Sequence, residues 1–186
     1  MNYFIEARKK QRAGQWKAAS LYYDEGIKYN DQLCWFGKAF IMRYGPAGLP
    51  MDKRTALQIF RQMFPRYQKM SNEGNGCASQ ILGYYYQYGL YVSINKYTSK
   101  EYFDLAFKQG CTEIRLERGI ELIKQKKYEE GTKLLIECHE AGWSGCLEYI
   151  PVHLLLGNTL SYDTLKKLYE LIEVKYKKEE QKELER

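Results

Sequence analysis

Apolar and polar residues in this chain alternate with the period of an amphipathic α-helix. Between residues 16 and 28, steps of three and four place Trp16, Ala19, Tyr23 and Ile27 on one side of a helix. Comparable spacing predicts further helices at about 3–13, 32–45, 53–68, 77–88, 98–109, 112–125 and 128–141, and a long last helix that begins at Ser161 or Thr164. The pattern therefore predicts an all-helical chain without a sheet.

A short pattern returns five times along the chain: two bulky apolar residues, two spacers, a small or apolar residue, and then a helix stop. It begins at Tyr22, Ile59, Tyr102, Leu134 and Leu168, so it recurs at intervals of about 32–43 residues. Self-similarity at periods of roughly 30–45 residues is the signature of stacked helical repeats. The repeat predicts an all-α fold, a right-handed α-solenoid of about five antiparallel helical hairpins, and solenoids mostly bind other molecules.

We expect these hairpins to form a single helical-repeat domain over residues 1–186. The approximate repeats are 3–30, 31–70, 76–110, 111–142 and 143–176, followed by a charged C-terminal tail at 177–186. The tail lacks an apolar face, which is typical of a solvated cap or a frayed helix end.

Short polar side chains and prolines predict where individual helices begin and end. Asp52 is placed to cap the helix that starts at residue 53. Thr98 is placed to cap a later helix, with Glu101 completing a capping box. We expect Pro65 to end or kink its helix early, since proline donates no backbone hydrogen bond. The fifth repeat is the least regular, because Pro151 lies inside its first apolar segment.

Composition indicates a folded chain, because 45% of the residues are hydrophobic and 28% are charged. The first residues contain no apolar run long enough for a signal peptide, and no later stretch approaches the roughly eighteen apolar residues of a membrane span. The five cysteines are odd in number and include no Cys-x-x-Cys pair, which argues against a disulfide framework. We therefore expect a cytoplasmic protein with thiols and without a membrane span.

The positive charge is concentrated in the first part of the chain. Residues 1–72 carry 13 lysines and arginines against 5 aspartates and glutamates, whereas residues 73–186 carry 16 against 18. A basic surface attracts an acidic protein, a nucleic acid or an anionic membrane. Charge alone does not choose between these partners.

Several repeats carry residues that resemble a known family. Residues 77–110 contain Ala78, Leu82-Gly83, Tyr86, Gly89, Tyr102-Phe103, Ala106 and Gly110. This is similar to the pattern Ala-x-x-x-Leu-Gly-x-x-Tyr-x-x-Gly followed by Ala-x-x-x-Gly of the Sel-one-like repeat family. Residues 33–64 resemble it more loosely, while residues 7–26 and 119–138 resemble the related tetratricopeptide pattern. The resemblance covers roughly residues 4–142, and the fifth unit matches neither pattern.

The resemblance implies an α-solenoid whose first helices line a concave surface that holds peptides or partner proteins. Small residues such as Gly37 and Gly83 are expected where two helices cross closely, with Phe40 and Phe103 filling the neighbouring space. Carried over residue by residue, the family's concave positions imply partner binding by Arg8, Arg12, Lys38, Gln80, Tyr84, Gln87, Tyr88, Ile120 and Lys124. The same carry-over places Gln11, Cys34, Met42 and Leu116 on the concave side.

Other chemistry has little support in the sequence. Cys138, His139, Cys146 and His153 lie near one another, but their spacing does not fit a zinc site. Resemblance to a secreted branch of the same family implies a disulfide between Cys138 and Cys146 only if the protein is exported. The chain contains no nucleophile elbow, Walker A motif or dinucleotide-binding glycine motif. We therefore expect no catalytic residue, metal or cofactor.

The function that the sequence predicts is that of a protein–protein interaction module, an adaptor or scaffold rather than an enzyme. Its concave groove would bind a peptide or protein, with an acidic partner favoured by the basic N-terminal part. Two alternatives stay open. One is a nucleic-acid-binding helical repeat that uses the basic N-terminal half, and the more remote one is an exported, disulfide-bearing, enzyme-like relative.

Overall fold

The computed structural model describes residues 2–143, 145–156 and 159–184, and every regular element in these residues is a helix. They contain nine α-helices: α1 Tyr3–Arg12, α2 Trp16–Lys28, α3 Cys34–Tyr44, α4 Lys53–Asn72, α5 Gly76–Tyr88, α6 Lys96–Lys108, α7 Thr112–Lys124, α8 Tyr128–Glu140 and α9 Tyr162–Leu184. Short 3₁₀-helices lie at Pro46–Gly48, Cys146–Tyr149 and Val152–Leu155. Since these residues form no β-strand, the predicted all-α class is confirmed.

Side-chain caps determine where α4 and α6 begin. Asp52 caps α4 as predicted, because its carboxylate accepts a hydrogen bond of 2.9 Å from the backbone N–H of Thr55. The predicted cap of α6 is wrong. Asn95 caps this helix by accepting hydrogen bonds from the backbone N–H groups of Tyr97 and Thr98, each 3.1 Å long. Asparagine is a better N-cap than threonine, so α6 begins two residues earlier than predicted and Thr98 lies inside it.

Helix α4 continues through Pro65 and ends only at Asn72, so the prediction that it ends early is wrong. Proline removes one hydrogen bond from a helix interior. However, Met63, Tyr67 and Ser71 on both sides of the proline are buried. Most helical stability in proteins comes from tertiary packing. Here the packing of this face stabilises the helix on both sides of the proline, so the helix continues.

The contacts within the chain form two compact units, Met1–Cys111 and Thr112–Arg186, which we call unit 1 and unit 2 and describe separately. Unit 1 carries 16 lysines and arginines against 8 aspartates and glutamates, whereas unit 2 carries 13 against 15. Unit 1 is therefore the electropositive part of the chain.

Unit 1 consists of three helical pairs, α1 with α2, α3 with α4 and α5 with α6. Consecutive pairs also touch, because α2 packs on α3 and α4 packs on α5, and α1 contacts α3. Short connections between consecutive helices favour antiparallel neighbours. The first three predicted repeats thus correspond to three helical pairs in chain order.

Aromatic side chains build much of the core of unit 1. The rings of Phe36 and Phe60 lie 6.1 Å apart, and those of Phe60 and Tyr85 lie 5.5 Å apart in an edge-on arrangement. The hydroxyl of Tyr85 donates to the carbonyl oxygen of Phe60 at 2.9 Å, and that of Tyr67 donates to the carbonyl oxygen of Gln32 at 3.1 Å. Each buried ring contributes roughly 1.5–3 kcal/mol, and the satisfied hydroxyls avoid a desolvation cost of about 1–3 kcal/mol.

Glycines allow close helix crossings in unit 1. A Cβ atom at Gly83 would lie 2.5 Å from the ring of Phe103 on α6, so the predicted packing of a small residue against a large one is confirmed there. A Cβ atom at Gly37 would collide with the ring of Tyr23. The ring that fills this space comes from α2 and not from Phe40, because α2 packs directly on α3.

The pair α7 and α8 in unit 2 crosses in the same way. A Cβ atom at Gly131 would lie 3.0 Å from the carbonyl oxygen of Gly119, and a Cβ atom at Gly119 would lie 3.3 Å from the carbonyl oxygen of Gly131. Two glycines facing each other let the backbones approach more closely than larger residues would permit.

The start of α9 is held by a side chain of α8. Glu129 accepts hydrogen bonds from the backbone N–H of Ser161 at 2.9 Å and from the hydroxyls of Ser161 and Thr164 at 2.8 Å each. Burial by itself raises the pKa of Glu129, but the hydrogen bonds from Lys133, Ser161 and Thr164 outweigh it and lower the pKa to about 2. The carboxylate therefore stays ionised over the physiological range.

The fifth predicted repeat does not begin with an α-helix. The described part of residues 143–161 contains only the two 3₁₀-helices, and Pro151 between them has an extended backbone with φ −62° and ψ 132°. A proline in this conformation prevents a continuous helix. The described residues accordingly show four α-helical pairs followed by α9. Helix α9 also runs into the predicted charged tail, of which residues 185–186 lie outside the described residues.

Candidate functional site: an aromatic groove in unit 1

Helices α1, α3 and α5, the first members of three consecutive pairs, line one cleft on the surface of unit 1. Its volume is about 90 Å³. It is lined by Arg8 and Gln11 of α1, Phe36 and Phe40 of α3, and Tyr84 and Tyr88 of α5. We call these six residues the aromatic groove. Arg8, Tyr84 and Tyr88 belong to the predicted partner-binding set, and Gln11 to the predicted concave side, so the structure brings these four together.

Tyr84 lies at the centre of the groove wall. Its ring stacks on Phe36 with a centroid distance of 5.9 Å and an interplanar angle of 11°, and on Tyr88 at 5.8 Å and 18°. The edge-on contact with Phe103 of α6 measures 5.2 Å. Ring pairs of this kind contribute about 0.5–1.5 kcal/mol beyond the area that they bury. Tyr84 is therefore both a groove residue and a packing residue.

Arg8 and Gln80 hold the hydroxyl of Tyr84 in place. The hydroxyl of Tyr84 accepts hydrogen bonds from Nη2 of Arg8 at 3.4 Å and from Nε2 of Gln80 at 3.3 Å. The guanidinium carbon of Arg8 lies 5.6 Å from the centroid of the same ring, within range of a cation–π interaction. Arg8 is only 7% exposed and Gln80 only 1%. Both residues therefore lie behind the groove surface and fix the orientation of the Tyr84 ring.

Phe40 extends the aromatic wall toward the end of α3. Its ring lies 4.6 Å from that of Tyr44 and 6.3 Å from that of Tyr88. Tyr44 and Tyr88 are 44% and 43% exposed, so these two rings present apolar surface to solvent. Arg43 lies over the ring of Tyr44, with its guanidinium carbon 5.6 Å from the centroid.

The sequence prediction missed the α3 side of this wall, namely Phe36, Phe40 and Tyr44. A signal for it is present, because these residues recur at steps of four along α3 just as Tyr84 and Tyr88 do along α5. Steps of four keep side chains on one face of a helix. Aligning these two rows of aromatic residues would have placed them on neighbouring walls.

The other predicted residues of unit 1 lie outside the lining of the cleft. Arg12 and Gln87 are exposed. Lys38 is half-buried, and its Nζ lies 2.8 Å from Oδ1 of Asp24 on α2. Cys34 is completely buried, which raises the pKa of its thiol and removes it from any partner surface. Lys38 therefore contributes less free positive charge to the groove than the sequence suggests.

Ile120 and Lys124, the last two predicted residues, belong to α7 in unit 2. Ile120 is half-buried and Lys124 is exposed. The predicted concave residue Leu116 is buried. Their participation in partner binding stays a prediction.

A second cleft, of about 220 Å³, lies between α8 and α9 in unit 2 and is lined by Lys133, Ile136, Glu137, Asp163, Thr164 and Lys167. Its lysines are engaged by neighbouring carboxylates: Lys133 lies 2.9 Å from Glu129, and Lys167 lies 3.0 Å from Glu140. Although this cleft is larger than the aromatic groove, it offers no exposed ring to anchor a partner. We therefore take the aromatic groove as the candidate site.

The cysteines are all thiols. The Sγ atom of Cys138 donates to the carbonyl oxygen of Thr112 at 3.5 Å, and that of Cys146 donates to the carbonyl oxygen of Trp143 at 3.0 Å. Burial raises the pKa of Cys138 to about 12, with a smaller contribution from Cys146, which disfavours the reactive thiolate.

Among the described residues, no group of three or more His, Cys, Asp or Glu side chains is arranged to hold a metal ion.

Comparisons with protein-family models, curated proteins and solved structures find no match to this chain. In the part of the chain that the structure describes, no helix combines the length and hydropathy needed to cross a membrane.

Proposed function

We propose that this protein is an interaction module, an adaptor or scaffold whose unit 1 holds a segment of a partner protein in the aromatic groove. The observation that carries the proposal is that the first helices of three consecutive pairs supply one continuous lining. In our proposal the pairs stack as a right-handed α-solenoid of the Sel-one-like or tetratricopeptide type, with the groove on its concave side. The close packing of Gly83 against Phe103 supports this register.

The dimensions of the groove favour a protein segment over a free small molecule. Sites for drug-sized ligands usually enclose roughly 300–1,000 Å³, whereas this cleft measures about 90 Å³. A volume of this size suits one or two side chains of a peptide that continues along the wall past Tyr44 and Tyr88. Tyrosine and arginine are the residue types that most often dominate the affinity of protein interfaces.

Charge selects the class of peptide. Unit 1 carries 16 basic against 8 acidic residues. Arg12 is exposed at the end of α1, and the half-buried Arg43 lies over the ring of Tyr44. We propose an extended or helical partner segment that is acidic at one end and apolar or aromatic at the other. Acidic residues accelerate the encounter with unit 1, and an apolar anchor against Tyr88 supplies the affinity.

A selection from a displayed random-peptide library against the full chain tests this proposal. We expect enrichment of peptides that combine acidic with aromatic residues, and we expect Tyr88→Ala to weaken their binding roughly tenfold or more. Tyr97→Ala is the matched control, because Tyr97 is 74% exposed on α6 and does not line the cleft. Peptides that bind both variants as well as wild type would place the site elsewhere, and the groove proposal would then be abandoned.

The proposal includes a cytoplasmic location and a non-enzymatic role. The aromatic groove consists of rings, one guanidinium and one carboxamide, a set that is typical of interfaces. Five cysteines held as thiols are consistent with a reducing compartment.

A further inference from the structure

The outer face of α4 is a continuous basic surface. Arg54, Arg61, Arg66 and Lys69 are exposed along this helix, and we call these four residues the α4 basic face. At 100° per residue, Arg54, Arg61 and Lys69 lie within about 80° of one another around the helix axis, and Arg66 lies about 60° further. Gln58, Gln62 and Pro65 fill the space between them and are also exposed.

The opposite face of α4 is used for packing. Ala56, Phe60, Met63 and Tyr67 are buried there. No aspartate or glutamate occurs within Lys53–Asn72, although this helix contains five lysines and arginines. The outer face therefore carries no negative charge of its own, and the exposed Leu57 lies beside Arg61 at its edge.

Local carboxylates neutralise little of this charge. Asp52 caps α4 through two hydrogen bonds with Thr55, and it offsets part of the charge of Arg54, the one cation of the face that lies near it. Lys69 reaches Glu73 only at 3.9 Å, and both side chains are exposed. Within the described residues, Arg61 and Arg66 form no ion pair. An exposed pair contributes little, so these cations are available to a negatively charged partner.

The spacing of the cations matches the phosphate rows of a nucleic-acid duplex. At a rise of 1.5 Å per residue, Arg54 and Arg61 are about 10.5 Å apart along the axis, and Arg61 and Lys69 are about 12 Å apart. The major groove of B-form DNA is about 12 Å wide. When α4 lies across the groove with this face toward the duplex, its cations therefore come near the phosphates on both sides of the groove. We propose that the α4 basic face binds the phosphate backbone of double-stranded nucleic acid without sequence preference.

The chemistry of the face favours a duplex over other polyanions. Single-strand binding relies on aromatic side chains that stack on bases, but Phe60 and Tyr67 are buried and Phe64 is half-buried. An interfacial membrane helix inserts its apolar face into lipid, whereas the apolar face of α4 packs inside unit 1. Arginine, which provides three of the four cations, has a planar fork that matches phosphate oxygens, and glutamines beside it can donate further hydrogen bonds.

This surface is independent of the aromatic groove. The groove is lined by α1, α3 and α5, and it shares no residue with the α4 basic face. Failure of one proposal therefore leaves the other unaffected.

Fluorescence anisotropy with a labelled 20-base-pair DNA duplex and the full chain tests the proposal between about 50 and 200 mM salt. Four phosphate contacts predict a slope of about −3.6 for the logarithm of affinity against the logarithm of salt concentration. The triple variant R54Q/R61Q/R66Q should bind at least roughly tenfold more weakly, with a slope near −0.9. Glutamine retains good helix propensity, and a thermal melt confirms that the variant is folded.

The triple variant K17Q/K100Q/K108Q is the matched control, because it removes the same charge from exposed positions on α2 and α6. We expect it to keep the wild-type slope, and a second duplex of unrelated sequence should bind equally well. If both triple variants lost the same affinity for the duplex, net charge alone would explain the binding, and the proposal would be overturned. The proposal would also be overturned if another polyanion competed as well as the duplex at equal charge. The competitors are poly-glutamate, a single-stranded oligonucleotide and vesicles that contain phosphatidylserine.

Discussion

The carboxylate of Glu129 in α8 accepts a hydrogen bond of 2.9 Å from the backbone N–H of Ser161, immediately before the first turn of α9. The hydroxyl of Ser161 in turn lies 3.3 Å from the backbone N–H of Thr164, which it caps. A residue of one helix therefore fixes the N-terminus of another, 32 positions later in the chain. This contact joins the irregular C-terminal segment to the last helical pair of unit 2.

Glu129→Gln should destabilise the protein at neutral pH. Because the pKa of Glu129 is about 2 in the folded state and 4.5 is its ordinary value, the ionised carboxylate contributes stability above about pH 4.5, which is lost as the pH falls toward 2. We expect a cost of about 1–2 kcal/mol at pH 7, below the full linkage value since the side chain is partly exposed. Urea unfolding at pH 7, 4.5 and 3 measures it.

Glu130→Gln is the control for this substitution, since Glu130 is the exposed neighbour on α8. It should change the unfolding free energy little at any of these pH values. A Glu129→Gln cost that stayed constant down to pH 3 would show that the charge of the carboxylate is not what holds α9.

Gly83→Leu should destabilise unit 1 by roughly 1–3 kcal/mol through overpacking. Even a Cβ atom at this position lies 2.5 Å from the ring of Phe103, so the ring or the helix must move. Thermal melts of wild type and variant measure the loss. Combining Gly83→Leu with Phe103→Ala should recover part of the cost as a coupling energy, and an unchanged melting temperature in the single variant would contradict the observed packing.

Tyr88→Ala should weaken binding of a groove partner by roughly 1–2 kcal/mol or more with little loss of stability. Its ring is 43% exposed. Tyr84→Ala should weaken binding as well, but it should also lower the melting temperature, because its ring packs on Phe36 and Phe103. Calorimetric titration with a selected peptide, combined with thermal melts, separates the two effects. Full-strength binding by Tyr88→Ala would exclude the wall beside Phe40 as the contact surface.

Arg12→Glu should slow association with an acidic partner, because it reverses an exposed positive charge. Arg12 is exposed at the end of α1. Lys38→Glu should slow association too. It should also destabilise the protein, because Lys38 lies 2.8 Å from Asp24 and the substitution places two carboxylates side by side. Stopped-flow measurements at low and high salt should show a lower association rate that converges with wild type as salt rises. Equal rates for Arg12→Glu and wild type at low salt would count against an acidic partner.

The thiols should react slowly in the folded protein. With a pKa of about 12, Cys138 is ionised in only about one molecule in ten thousand at pH 8. A thiol-reactive dye should label Cys77, which is half-buried, before Cys138 and the other buried cysteines. Denaturation of freshly prepared protein should release all five thiols, whereas a count of three would indicate a disulfide and support an exported relative.

Local periodicity predicted where most helices lie. The observed limits of α1, α2, α5, α7 and α8 differ from the predicted ones by at most one residue at either end, because each of these helices is bounded by nearby turn residues such as Gly74 or Gly110. The cap at Asp52 was equally predictable, since an N-cap bond spans only three residues. Features governed by neighbours within one helical turn can mostly be read from the sequence, but where two candidate caps lie close together, as Asn95 and Thr98 do, the local pattern did not choose correctly.

Only the tertiary structure decided which residues line the groove, where α4 ends and how α9 begins. Arg8 and Tyr84 lie 76 positions apart and meet because α1, α3 and α5 pack in a particular register. Buried contacts carried α4 past Pro65, and Glu129 fixed the start of α9 from another helix. Which face of each helix meets its neighbour depends on interlocking side chains from distant positions, and the period of a single helix does not contain that information.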